Sequence, residues 1–252
     1  MNRHSLIAGD STMSTMEKLT RFGRLLFAIA MAAFGFQYLG HALLAGPVPG
    51  PPWSPGRPLW AYAIAMVLII VAAVCIASAK KMLLAAALLA ILLLLRALLV
   101  FAPRLIAHVH DPGPWTSGFE LLAMCGAALV LAGTLIWLGR FLFAISLLVF
   151  GTQHFLYARF IATLLPAWIP WHLFWAIFVG VAFVAAALSM VARQHAGLAA
   201  TLLGLMFFLW VFVLHLPRVV AAAHNGNEWT SMFVALAMCG AAWVVAGRVK
   251  GQ

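Results

Sequence analysis

The sequence predicts an all-α, polytopic membrane protein with eight transmembrane helices, arranged as two parallel four-helix bundle repeats. Three observations carry this prediction. Of the 252 residues, 66% are hydrophobic and only 8% are charged, a balance that is rare in water-soluble domains. Eight apolar runs have the length of a membrane span, and long stretches of the first half of the chain recur in the second.

The apolar runs are long enough to cross a membrane as helices. A hydrocarbon core of roughly 30 Å needs about 20 helical residues to cross it. The runs are continuous and rich in Leu and Ala, without the alternation of apolar and polar residues that marks a barrel strand. They lie near residues 24–44, 59–79, 82–101, 119–138, 140–162, 172–192, 197–216 and 230–247.

Internal similarity divides the chain after a polar tail at residues 1–22, which we expect to be cytoplasmic. The stretch GRLLFAI at 23–29 recurs as GRFLFAI at 139–145, and LAMCGAA at 122–128 recurs unchanged at 236–242. We therefore predict a first repeat at 23–138 and a second at 139–248. Each repeat holds four spans, an even number, so both copies have the same orientation in the membrane. Parallel repeats do not favour alternating-access transport, for which inverted repeats are the common device.

The distribution of Lys and Arg gives the orientation, because basic residues in short loops stay on the cytoplasmic side. This rule places both termini in the cytoplasm. The net charge of +10 then reflects orientation and affinity for anionic lipid, and no basic stripe indicates nucleic-acid binding. The residues assigned to the cytoplasmic side are Arg3, Lys18, Arg21, Arg24, Lys80, Lys81, Arg140, Arg193, Arg248 and Lys250.

Polar side chains at the outer end of the second repeat form the candidate binding site. Polar groups inside a membrane are costly, so they mark functional candidates. We predict that five residues converge in an outward-facing pocket suited to the carbonyl or hydroxyl head of an amphiphile. The alternative is that they are interhelical hydrogen bonds and residues of the interfacial belt. The five are Gln153 and His154 near the end of the fifth span, Trp168 in the next loop, and His215 and Arg218 at the end of the seventh.

The chain has few residues that could carry out catalysis or bind a metal. There is no phosphate-binding glycine loop, zinc-protease helix or nucleophile elbow, and the sequence has only five carboxylates. The histidines lack the spacing of metal ligands. We therefore assign no catalytic residue and no metal, and enzymatic activity stays open. Arg96 interrupts a run of leucines where the second repeat has Trp210, and we expect an anionic lipid headgroup or Glu120 as its partner.

The second repeat resembles the DoxX-like family of small four-helix membrane proteins. The resemblance lies in the stretch GTQHF at 151–155, Phe160, the loop LPAWIP at 165–170, Gly180 and the pair Pro217-Arg218. The first repeat matches more loosely, since it has Tyr38 in place of His154. The resemblance implies a bacterial inner-membrane protein and a link to a thiosulfate-oxidising, quinone-reducing system.

Two functions of different classes follow from these observations. The first is a non-catalytic accessory or anchoring subunit of a membrane complex, with a partner membrane subunit and the lipid bilayer around it. The second is a component that binds a quinone or a similar amphiphilic small molecule in the outward-facing pocket and takes part in redox or sulfur metabolism. No cofactor is required by the first function, and the quinone belongs only to the second.

Overall fold

The computed structural model describes residues 3–44 and 59–249, and the side chains of 15–40 and 65–248. All regular elements in these ranges are helical. They are α1 Arg3–Leu44, α2 Leu59–Ala77, α3 Met82–Ala107, α4 Pro112–Ala132, α5 Ile136–Leu156, the short α6 Ala158–Thr163, α7 His172–Ala192, α8 Ala196–Ala221 and α9 Gly226–Val249.

Seven of these helices are long and apolar enough to cross a membrane. Their outward faces carry large apolar side chains at high exposure, as on α3, where Leu84, Leu88 and Ile91 are 58%, 51% and 54% exposed. Such a surface suits lipid and not water. The predicted all-α membrane class is confirmed. The eighth predicted span, 59–79, contains α2, and only its part Ala65–Ala77 has described side chains, so this span stays a prediction.

Several helix ends differ from the apolar runs. Helix α1 begins at Arg3, well inside the predicted polar tail. The predicted run 140–162 is interrupted, because α5 ends at Leu156 and α6 begins at Ala158. Helices α3 and α8 continue past the ends of their runs, to Ala107 and Ala221. Apolar runs measure the stretch that lipid covers, whereas a helix continues as long as its backbone hydrogen bonds do.

Helices α3 and α8 share an irregular turn near their predicted outer ends. Each contains a π-helical segment, Ala97–Phe101 in α3 and Val211–His215 in α8. The amide of Ala102 donates to the carbonyl of Ala97, five residues back, and Leu216 donates to Val211 in the same way. A proline follows closely in both helices and lacks the amide proton that a regular helix needs. The wider turn adapts the helix to that missing donor.

The long helices follow one another round a ring. In order, the ring runs α1, α2, α3, α4, α5, α7, α8, α9 and back to α1, and each neighbouring pair is in contact. Helices α4 and α9 also touch each other across the middle. They divide the ring into compartment one, bounded by α1, α2, α3, α4 and α9, and compartment two, bounded by α4, α5, α7, α8 and α9.

Two close crossings hold α4 and α9 in the ring. A Cβ atom added at Gly139 of α5 would lie 2.5 Å from the Gly126 carbonyl oxygen of α4. A Cβ added at Gly240 of α9 would lie 2.5 Å from the Gly23 carbonyl oxygen of α1. Glycine therefore lets these backbones touch, as small residues do at membrane helix contacts. The closing helix of each predicted repeat thus packs against the first helix of the other.

Candidate functional site

Compartment two encloses a cavity with a volume of about 570 Å³, which we call cavity two. It lies between the start of α4 and the ends of α5 and α8, which is the predicted outer end of the bundle. All five helices of the compartment and α6 contribute to its wall. A volume of this size is typical of a site for a small organic molecule.

Aromatic rings form the apolar wall of cavity two. Phe183 of α7 is the central ring, with its centroid 6.0 Å from Phe150, 5.7 Å from Phe207 and 6.1 Å from Trp210. Trp210 stands almost perpendicular to both Phe183 and Phe207, at 89° and 83°. Edge-to-face pairs of this kind fix the rings against one another. The wall is therefore a rigid corner of aromatic faces and edges.

His154 of α5 joins this wall, because its ring centroid lies 5.1 Å from that of Phe183. The Nδ1 atom is 2.9 Å from the carbonyl oxygen of Phe150. A carbonyl can only accept, so in a neutral ring Nδ1 carries the proton and Nε2 is left as an acceptor. Gly180 of α7 permits this position, since a Cβ there would lie 2.9 Å from the His154 Cβ. His154 thus offers one unused ring nitrogen.

His215 lines the opposite side of cavity two, at the end of the π-helical segment of α8. Its Nδ1 atom is buried and has no hydrogen-bond partner among the described residues. Buried polar atoms in proteins are nearly always paired, so an unpaired ring nitrogen at a cavity wall is a place for a ligand or a water. The π turn sets the direction of this side chain, and π turns occur frequently at functional sites.

Gln153 also lines cavity two, but its amide is already engaged. Its Nε2 donates to the carbonyl oxygen of Pro112 over 3.2 Å, and its Oε1 lies 3.1 Å from the Thr116 hydroxyl. Gln37 of α1 makes the same kind of contact with α9, donating to Gly226 and Thr230 over 2.8 and 2.7 Å. Both glutamines tie the first helix of one predicted repeat to the start of the closing helix of the other.

The two other predicted site residues do not line cavity two. Trp168 lies in the loop before α7 and is 70% exposed. Arg218 of α8 forms a two-pronged ion pair with Glu228 of α9, with Nε to Oε2 at 2.9 Å and Nη2 to Oε1 at 3.0 Å. The structure therefore brings together Gln153, His154 and His215. Ligand binding by any of the five residues stays a prediction.

A smaller cavity in compartment one, cavity one, has a volume of about 120 Å³. Tyr38 and Arg96 line it at the positions that correspond to His154 and Trp210. The Arg96 guanidinium lies over the Tyr38 ring, 4.7 Å from the centroid, which is a cation–π contact. The expected Arg96–Glu120 ion pair is not formed, since the two ion pairs among the described residues join Arg21 to Glu17 and Arg218 to Glu228.

Glu120 is the functional candidate that the sequence analysis missed. It lies on α4, the helix between the two compartments, and lines both cavity one and cavity two. Its carboxylate makes no hydrogen bond or ion pair with any described residue. An unpaired carboxyl group at membrane depth is costly and marks a functional site. The signal in the sequence was that Glu120 is the one carboxylate inside a predicted span.

No metal site is formed by the part of the chain that the structure describes, where no three His, Cys, Asp or Glu side chains converge. Comparison with known proteins assigns no family either: no family model, curated protein or solved structure matches this chain. The DoxX-like resemblance therefore depends on the quoted residues alone and stays a prediction.

Proposed function

We propose that this membrane protein binds an amphiphilic small molecule in cavity two, with its head group at His154 and His215 and its apolar part against the aromatic wall. The observation that carries this proposal is the combination of about 570 Å³ of space with two imidazoles that each keep an unused nitrogen. Sites for small molecules are mostly apolar and have a few polar groups that orient the ligand.

The imidazoles suit a head group with hydroxyl or carbonyl oxygens. Nε2 of His154 is an acceptor when Nδ1 donates to Phe150, so it pairs with a hydroxyl. Nδ1 of His215 is free to donate to a carbonyl or to accept from a hydroxyl, according to its tautomer. The quinone class, implied by the DoxX-like resemblance, has a flat ring that fits beside Phe183 and Trp210, with carbonyl oxygens for His215 in the oxidised form and hydroxyls for His154 in the reduced, quinol form. On this proposal the protein takes part in a redox or sulfur-oxidation system.

The test is ligand retention by purified protein. Protein extracted in a mild detergent is analysed by mass spectrometry for lipophiles that co-purify. A decyl-substituted benzoquinone is added as a defined probe, in its oxidised form and as the quinol, and is detected by quenching of tryptophan fluorescence. His154→Ala should lower the affinity for the quinol by about tenfold, because Nε2 no longer accepts a hydrogen bond from a quinol hydroxyl. His195→Ala is the control, because His195 is exposed at the other end of the bundle. Wild-type affinity in His154→Ala would overturn the proposal.

A second candidate function is that of a non-catalytic accessory or anchoring subunit. The observation in its favour is an exposed aromatic cluster at the start of α7. It consists of Phe174, Trp175 and Phe178, whose ring centroids lie 5.4 to 5.9 Å apart. Trp168 and Trp171 extend it, at 70% and 78% exposure. Such a cluster suits a partner membrane subunit as well as lipid. A stoichiometric partner in mild detergent that is lost in Trp175→Ala supports this role.

For the topology, we propose eight spans in a bacterial inner membrane, with two parallel repeats and both termini cytoplasmic. The twofold occurrence of the glycine crossing, the glutamine contact and the π-helical segment supports the duplication. The distribution of Lys and Arg supports the orientation. Reporter fusions after Gln252 should be active as cytoplasmic fusions and inactive as periplasmic ones. The reverse result would overturn the orientation.

A further inference from the structure

The lining of cavity two contains a carboxylate that has no role in the proposed function. Its described lining includes no Lys and no Arg, although the chain as a whole has a net charge of +10. Glu120 is the one carboxylate in that lining. Arg218 and Arg96 are engaged elsewhere, because Arg218 is paired with Glu228 and Arg96 lies over Tyr38 in cavity one. The carboxylate of Glu120 therefore has no positive partner within cavity two.

We propose that cavity two prefers an amphiphile with a positive charge over a neutral or anionic one of the same shape, and that Glu120 is the counter-ion of that charge. This inference rests on the proposed function, since it names the charge class of the molecule held there. An ionised carboxylate in a low-dielectric cavity is stabilised by a cation in contact with it. The cost of leaving Glu120 unpaired is thus recovered when an amphiphilic cation binds.

The aromatic wall supports the same ligand class. Trp210 stands nearly at right angles to both Phe183 and Phe207, so a group in the corner faces more than one ring. Aromatic faces attract cations, and Trp is the strongest of them, especially where water is excluded. A carboxylate and an aromatic corner in one cavity together form a site for a quaternary ammonium, a phosphonium or a protonated amine on an apolar body.

Helices α4 and α9, which separate the compartments, differ in charge at equivalent positions of the predicted repeats. Ser117 of α4 corresponds in the repeat to Ser231 of α9, but Glu120 corresponds to Val234. Only one closing helix therefore brings a carboxylate to the boundary between the cavities. The lining of cavity one includes Arg96, whereas the described lining of cavity two includes no Lys or Arg. A cationic ligand thus fits cavity two and not cavity one.

The test uses two probes of the same shape and opposite charge, tetraphenylphosphonium and tetraphenylborate, with the neutral decyl-substituted benzoquinone as a third. Full-length protein in nanodiscs of zwitterionic lipid should bind tetraphenylphosphonium at least about tenfold more tightly than tetraphenylborate. Glu120→Gln should lower phosphonium affinity by about tenfold or more and leave quinone affinity within about twofold. Glu17→Gln is the control, because Glu17 is exposed and paired with Arg21 outside the cavities.

Two further variants keep the test decisive if Glu120→Gln does not fold. Glu120→Asp retains the charge and should retain phosphonium binding, and Trp210→Leu keeps an apolar side chain but should weaken phosphonium binding several-fold. Equal affinity for the two tetraphenyl ions, or phosphonium affinity unchanged in Glu120→Gln while the quinone still binds, would overturn the inference and leave the proposed function intact. Failure of all three probes to bind wild-type protein would overturn both.

Discussion

The crossing of α4 and α5 gives the sharpest test of the packing. Replacing Gly139 by alanine adds a Cβ at 2.5 Å from the Gly126 carbonyl oxygen and 3.0 Å from the Val130 side chain. Ordinary contacts of such an atom begin near 3.4 Å. Since the nearest atom belongs to the backbone, no rotamer change relieves the clash, and the helices must separate by about 1 Å.

Two opposing effects set the change in the free energy of unfolding when the helices separate. Overpacking of a close contact costs typically 1–3 kcal/mol, and a backbone clash belongs at the upper end, at about 2–3 kcal/mol. Alanine has a higher helix propensity than glycine by about 1 kcal/mol. The net loss in the free energy of unfolding is therefore about 1–2 kcal/mol. Gly40→Ala on α1 is the matched control, because a Cβ there has no atom of a described residue within 4 Å, and it should gain about 1 kcal/mol.

The assay is unfolding of the purified protein in a series of detergent mixtures with increasing dodecyl sulfate, followed by circular dichroism. Gly139→Ala and Gly40→Ala should differ in stability by about 2–3 kcal/mol. The double variant Gly126→Ala with Gly139→Ala should lose less than the sum of the two single losses, because one separation of the helices relieves both clashes. Equal stability of Gly139→Ala and Gly40→Ala would refute the close crossing.

The other predictions concern the contacts around cavity two. Gln153→Leu should lower the free energy of unfolding by about 1 kcal/mol in the same assay, because the Gln153 amide loses its hydrogen bonds with the Pro112 carbonyl and the Thr116 hydroxyl; unchanged stability would contradict a stabilising role for these contacts. Glu228→Ala should cost about 1–3 kcal/mol, since it leaves the partly buried Arg218 unpaired, and Arg218→Ala with Glu228→Ala should restore part of it. Pro217→Ala restores an amide donor, so α8 should lose its π turn, and quinone affinity should fall as His215 rotates away from cavity two; unchanged affinity would contradict this role of the turn.

The end of the bundle at which each candidate residue lies was predictable from the sequence. Gln153, His154 and His215 lie near the ends of their runs on the predicted outer side, and all three line one cavity. Depth follows from the fixed rise of a helix and from the alternation of spans, both of which are local properties. Trp168 and Arg218 were placed at the correct end for the same reason, although neither lines the cavity.

The direction in which a side chain points round its helix was not predictable in the same way. In a soluble helix the polar face identifies the solvent side, but these helices are apolar all round, so their sequences do not distinguish a lipid face from a packed face. Arg218 is one turn from His215 and faces Glu228 on α9. The contact partner, which lies far along the chain, decides that orientation.

The sequence by itself determined the apolar environment and the helical class, because the length of the apolar runs is a property of the chain alone, and from the spacing of similar stretches it predicts the internal duplication. Only the tertiary structure decided which helices are neighbours. Helix α1 packs on α9 and α5 on α4, through backbone contacts at glycines whose partners are far apart in sequence. This arrangement places Glu120, a residue of the first repeat, in the wall of a cavity otherwise built mainly from the second. Close packing between distant segments sets that position, and no local pattern encodes it.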